Sequence, residues 1–440
     1  MSSDASPAAY WGARVRLALI AIFVAFAVVR FITAVSSSRN FDRGDFYATM
    51  PPAYAKTMNP ALWNSPDLSG SWVFQQPVYL YGPTQYLSIA PLVYFFDSYA
   101  EISNFLMFFY GALVVLSALG LRVALNQIEP LPPRTGLLIL AATLGFFPLL
   151  QAFVQREFEV FVFACTVAGL YFLLRRREWI AGALFGYITW FKFLPLLWLG
   201  LLAMRRWAAA VAAFIVVSVA TWLVAATSLG LGNFDHLWDL ATQELTQGSS
   251  GSSMCAPFVN PDMVRFANSN LTSAGIRFAL CRFGSWYSWL PVSTLYFGLL
   301  VLLLASFLIA FWRMERQASP SPRTDLWRRA LEASVVVIMT CGFFYSHYYY
   351  LGLLAIPIGV LIARYSTTAS GWARPLALIA AYAFLTAFVI PPSVSSALVG
   401  GDVFRTYMRL SLYFYGEMIL IALVFHEYWR LSLSAPQPAA

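Results

Sequence analysis

Charge is what this 440-residue sequence has least of: 11% of its residues are Asp, Glu, Lys or Arg, against about a quarter in soluble domains. With 60% hydrophobic residues, that scarcity excludes a soluble enzyme. Cysteine occurs at 165, 255, 281 and 341 with no CxxC pair, so neither a metal site nor a cofactor is expected. No P-loop and no GxGxxG opens a helix after a strand, which removes the usual soluble nucleotide sites. No internal repeat is visible, which argues against a transporter built from two related halves. The alternating segments of an outer-membrane barrel are missing too.

What the sequence does contain is long apolar runs. Leu17 to Val29, Ala209 to Ala226 and Phe297 to Phe311 approach the roughly 20 residues that cross a bilayer. The chain therefore reads as one all-α polytopic membrane domain over 1–440. Its formal charge of +8 comes from short basic clusters between apolar runs, a pattern that sets orientation and does not suggest nucleic acid. Arg14 and Arg16 keep the N-terminus cytoplasmic, and the first run is longer than a cleavable signal's apolar core. The clusters Arg122 with Arg134, Arg175 to Arg177, Arg205 with Arg206, Arg313 to Arg329, and Arg364 with Arg374 also belong inside.

About twelve crossings satisfy these clusters, near 15–35, 103–123, 135–152, 158–175, 179–192, 194–205, 207–229, 286–311, 327–345, 347–363, 374–391 and 404–429. Both termini then face the cytoplasm of a plasma or inner membrane. Two long extracytoplasmic loops result, 36–102 and 230–285. Within the first, Tyr81 to Phe96 is short and interrupted by Pro, and reads as a partly inserted helix. The stretch between Arg177 and Arg205 goes up and returns as a broken hairpin turning at Lys192-Phe-Leu-Pro195. The second loop contains Gln247 to Ser253, a Gly/Ser stretch that is either a flap or a surface tip. Cys255 and Cys281 share that loop, where oxidising conditions permit a bridge.

Most candidate chemistry falls on the outer side. Asp45 in Asn40-Phe-Asp-Arg-Gly-Asp-Phe-Tyr47 is either a helix cap or a general base, and Asp42 is its rival. Lys192, one of two lysines among 28 basic residues, sits in an apolar stretch. An ionisable group at that depth is a candidate partner for an anion, unless it snorkels to the interface. His347, in Phe343-Phe-Tyr-Ser-His-Tyr-Tyr-Tyr350, is either a packed histidine or a donor to phosphate oxygen. Gln155, Glu157, Asn268, Asn270 and Arg277 lie at the same face, while His236 and His426 read as structural. A carboxylate base with cationic and hydrogen-bonding donors suits transfer of a sugar from a lipid-linked phosphate to a hydroxyl. The leaving phosphate needs the donors and the acceptor needs the base.

The order of these pieces resembles a known family. Asp45 comes after the first helix, then Tyr79-Leu-Tyr-Gly-Pro83 to Ala90-Pro-Leu92, then Arg175 to Arg177 with Ala181-Gly182, then Lys192-x-x-Pro195 and Arg205-Arg-Trp207. Together they are similar to the GT-C glycosyltransferases of family 87, the DUF2029 group, which includes polyprenyl-phosphomannose-dependent mannosyltransferases and an arabinofuranosyltransferase. The resemblance implies a GT-C-like bundle, an outward-facing site, and metal-independent inverting transfer. It also implies a polyprenyl-phosphate sugar donor, a lipid or glycan acceptor, and surrounding membrane lipids. It puts the base on Asp45, the membrane lysine on Lys192 and the mannosyltransferase branch's histidine on His347. Tyr81 belongs to Tyr81-Gly-Pro83, where the family has Tyr-Pro-Pro, and Gln155-Arg-Glu157 replaces a Gly-Gln-Asn-like turn. His347 favours a hexose such as mannose over arabinofuranose. A transporter or lipid flippase and a non-catalytic lipid-binding protein are the competing readings. The first predicts polar residues through the depth of several spans.

Overall fold

The computed structural model of the chain describes residues 7–38, 84, 87–88, 90–96, 99–191, 196–229, 275–287, 289–316, 321–344, 348–368, 371–386, 406–408 and 410–434. Among them all regular structure is helical, the form in which an apolar segment satisfies its own backbone in lipid. In chain order the helices begin with α1 (Pro7–Ser38), α2 (Tyr99–Asn126), α3 (Pro133–Leu144), α4 (Phe147–Val154) and α5 (Glu159–Leu174). Next come α6 (Glu178–Thr189), α7 (Leu196–Met204), α8 (Ala208–Leu229), α9 (Ile276–Trp286), α10 (Val292–Glu315) and α11 (Pro322–Met339). The last are α12 (Ala355–Thr367), α13 (Ala373–Leu385) and α14 (Leu412–Ser434).

Among the described residues, four segments are long and apolar enough to cross a membrane: Leu17–Ser38, Ala100–Asn126, Val292–Glu315 and Tyr348–Thr367. The pair α3 and α4, bent by 47°, makes a fifth if taken as one span. The shorter helices explain the distance from twelve crossings. At about 1.5 Å per residue, the 12 residues of α6 and the nine of α7 fall well short of an apolar layer about 30 Å thick. Uncovered apolar side chains on α1, α8 and α10, such as Ile22 (66% exposed), Val216 and Val301, are the surface that lipid covers. Of the expected inserted helix at 81–96, the described residues Thr84, Leu87 and Ser88 are α-helical and Ala90–Tyr94 form a 3₁₀ turn.

Backbone breaks shape the bundle. Pro148 has no N–H to give the preceding turn, and the chain bends between α3 and α4 at Gly145 and Phe146. Arg30 of α1 satisfies the carbonyl left there, its Nη1 donating to Gly145 O at 3.2 Å. Its Nη2 donates to Thr386 O, at the end of α13, at 3.0 Å. The same end of α13 receives the Tyr348 hydroxyl at Leu385 O and the Tyr407 hydroxyl at Phe384 O. A cation beside helix C-termini is also favoured by their dipoles.

Elsewhere small residues allow close approach. Gly182 and Gly186, four apart on α6, lie against the α8 carbonyls of Ala210 and Phe214, and a Cβ at either position would collide with them.

Long-range contacts define two ends of the bundle. At one end Arg156, in the α4–α5 turn, reaches Ser38 O of α1 at 2.8 Å and Ser103 O of α2 at 3.0 Å. At the other end arginines meet acids across the link after α2 (Arg323–Glu129), the start of α6 (Arg329–Glu178) and the end of α7 (Arg205–Glu332).

Candidate active site

The α4–α5 turn is built by a helix that stops and restarts within five residues. Arg156 adopts φ 55°, the left-handed conformation that closes a helix. Its N–H bonds Phe153 O, and Glu157 N–H bonds Ala152 O at 2.8 Å. The Arg156 guanidinium is 2% exposed, so its two carbonyl bonds hold the ends of α1 and α2 against the turn. Glu157 and Glu159 are buried beside it, and Gln155 is half-buried. Glu159 opens α5, where a helix N-terminus favours negative charge.

The segment from Phe147 through this turn to Phe158 touches each of the three places where the described chain approaches its expected reactive residues. Ser38, the Arg156 partner, is the last residue described before Asp42 and Asp45. Phe191, immediately before Lys192, packs its ring 4.9 Å from that of Phe158. Tyr348, immediately after His347, packs 5.9 Å from Phe147 of α4.

Beside the turn, a cavity of ≈ 290 Å³ is lined by Leu92, Phe105, Phe109, Phe158, Phe161 and Tyr187, among others. Its polar end is the 2.7 Å hydrogen bond between the Ser88 and Tyr187 hydroxyls. Thr84 anchors that end by donating to Tyr187 O at 2.5 Å. Tyr94, Phe95 and Phe108 project from the same region and are exposed.

Arg277 stands on α9, whose Ile276 packs on Gly342 in the π-helical turn Thr340–Phe344. The guanidinium is half-buried and 5.8 Å from the Phe278 ring. Burial pushes its pKa below the ordinary arginine value, and Tyr296 acts the other way. Cys281, on the same helix, is disulfide-bonded, whereas Cys165 and Cys341 are buried free thiols. Of the expected site residues, Gln155, Glu157, Arg277 and Cys281 are thus placed. Asp42, Asp45, Tyr81, Lys192, Cys255, Asn268, Asn270 and His347 lie outside the described residues.

A family model described as glycosyltransferase family 87 matches residues 79–341, more than half of the chain. The chain belongs to glycosyltransferase family 87. No curated protein matches it. Membership makes this chain a membrane glycosyltransferase, which needs a sugar donor and an acceptor, and the transporter reading gives way. In this glycosyltransferase the matched region begins just ahead of the Thr84–Ser88 anchor and ends in the π-helical turn, so it encloses both the α4–α5 turn and the cavity.

Two residues of the site end were given no role of their own by the sequence reading. Arg30 and Arg156 are both buried arginines that hold backbone carbonyls. The signal for Arg30 was available, because it is a charge inside an apolar run.

Proposed function

We propose that the enzyme transfers a hexose such as mannose from a polyprenyl-phosphate donor to a hydroxyl of a lipid or glycan acceptor at the outer face of the cell membrane. The acceptor oxygen attacks the anomeric carbon as the bond to phosphate breaks, inverting the configuration. Asp45 takes the hydroxyl proton, with Asp42 as the neighbouring carboxylate. Lys192, His347 and Arg277 receive the leaving phosphate, whose growing charge is stabilised by fixed donors. Tyr81, Gln155, Glu157, Asn268 and Asn270 bind the sugar and the acceptor. A bundle of about twelve membrane segments, the shorter of them crossing only in part, with loops 36–102 and 230–285 outside and a bridge from Cys255 to Cys281, keeps these residues on one face.

The observation that carries this reading is the contact of α4 and the turn that follows it, residues 147–158, with the chain on the approach to Asp45, Lys192 and His347. The aromatic cavity at that turn suits the lipid end of the donor, because it offers apolar walls and a single polar end. The test is to incubate purified protein with a panel of polyprenyl-phosphate sugars and follow transfer. Asp45→Asn is expected to lower turnover by about 10² to 10⁴ while donor binding persists. Full activity in that variant removes the base assignment, and activity on a soluble nucleotide sugar alone removes the donor class.

A further inference from the structure

At the end of the bundle opposite the α4–α5 turn, the arginines that form ion pairs among the described residues mostly match their acids one for one. Arg176, Arg205, Arg323, Arg328 and Arg329 share five acids, Glu129, Glu178, Glu315, Asp325 and Glu332. The corner between α12, α13 and α14 breaks that rule. Arg364, Arg374 and Arg430 converge on the single carboxylate of Glu427, which is fully buried. The imbalance is written into the chain, because no Asp or Glu occurs between Glu332 and Asp402 or after Glu427.

Geometry repeats the mismatch. The three arginines stand 3.2 to 3.3 Å from Glu427, whereas the tightest contacts of the balanced network are shorter, such as Arg205–Glu332 at 2.7 Å. Three guanidiniums carry about fifteen N–H donors and one carboxylate accepts about four. The Tyr365 hydroxyl, on α12 among these charges, is buried with no hydrogen-bond partner among the described residues. Arg364 is held in place over the Trp327 ring at 5.1 Å. Arg374 and Arg430 remain partly exposed, at 28% and 40%, and Trp372 beside them is exposed as an interfacial tryptophan would be.

We propose that this corner is a binding site for a phosphate anion, with Arg364, Arg374 and Arg430 as its cationic wall and Tyr365 as an added donor. Guanidinium forks match tetrahedral oxyanions, and an excess of two positive charges suits a phosphate. The anion is either the headgroup of an acidic phospholipid or a free phosphate, and the site is separate from the sugar-transfer centre.

The experiment uses full-length protein in nanodiscs of phosphatidylcholine. Phosphatidylglycerol is added to one set and inorganic phosphate to another, and the melting temperature and retained ligand by native mass spectrometry are read. A saturable rise of several degrees with retention of one equivalent is expected. A response to the lipid alone identifies a headgroup site, and a response to phosphate identifies a free-anion site. Arg374→Gln with Arg430→Gln should abolish the response, and Arg430→Gln alone serves if the pair fails to fold. Glu427→Gln removes the competing carboxylate and should tighten anion binding about tenfold, an increase that a purely structural cluster does not produce. No response to either probe, or an equal response in wild type and the arginine variants, overturns the proposal.

Discussion

The two ends of the bundle use arginine in opposite ways. At the paired end arginine answers carboxylate. Glu332, fully buried, accepts from Arg205 Nε at 2.7 Å, from Arg328 Nε at 3.0 Å and from the Tyr428 hydroxyl at 3.0 Å. At the site end the buried arginines turn to backbone carbonyls instead. Arg30 takes those of Gly145 and Thr386, and Arg156 takes those of Ser38 and Ser103. The difference follows from what each end must do. Side-chain pairs lock helices together and leave the helices whole. Carbonyl capping permits helices to stop and bend inside the bundle, and broken helices are what line a cavity in a membrane.

The largest test of this contrast is Glu332→Ala. It leaves two buried guanidiniums with only half-exposed Glu315 in common, and it should cost about 3–5 kcal/mol in reversible unfolding in mixed micelles. Sugar transfer by the folded fraction should keep its KM for the donor. A changed KM would mean that the two ends are not independent.

Arg30→Met is the counterpart at the site end. It strands two carbonyls, with an expected loss of about 3 kcal/mol. Here turnover should fall as well, because the bend of α3 and α4 carries the α4–α5 turn. Arg30→Lys should recover only part of the loss, since one ammonium lacks the fork that bridges both carbonyls. Full rescue by lysine would show that charge, not geometry, holds the bend. Glu157→Gln should act on catalysis first, lowering kcat/KM about tenfold, or about 1.4 kcal/mol, with stability unchanged. An unchanged kcat/KM would remove Glu157 from the substrate site.

This contrast was only partly legible in the sequence. The apolar runs announced helices, and their ranges fall close to the helices described, because a buried helix is a local property of composition. The polar Gln155-Arg-Glu157 interruption likewise marked a turn that exists. Pairings such as Arg205 with Glu332 or Arg323 with Glu129 join residues more than a hundred positions apart, and no periodicity encodes them. A scarcity of lysine drew attention to Lys192, while the same rule applied to Arg30 with equal force. The basic clusters were read as topology markers, which suits exposed Arg175 to Arg177, whereas buried Arg30 and Arg156 lie outside those clusters and were given no role.

The smallest effect gives the sharpest comparison. Arg156, Arg176 and Arg206 sit at φ 55°, 57° and 54°, each closing a helix in the same way. In each case the following N–H bonds a carbonyl five residues back, at Ala152, Phe172 and Leu202. Glycine occupies this conformation without the cost of roughly 1 kcal/mol that an L side chain bears. At the paired end the arginine side chains return little. Arg206 is exposed, and Arg176 makes one 3.4 Å surface contact with Asp325, of a kind worth about 0–1 kcal/mol. Arg176→Gly and Arg206→Gly should therefore stabilise by a few tenths to about 1 kcal/mol. At the site end the identical substitution, Arg156→Gly, gains the same backbone relief but gives up two buried hydrogen bonds to carbonyls, so it should destabilise by about 2 kcal/mol. Opposite signs from one change at one backbone angle would separate side-chain duty from helix closure. Equal signs would mean that the Arg156 bonds contribute no more than the surface contact of Arg176.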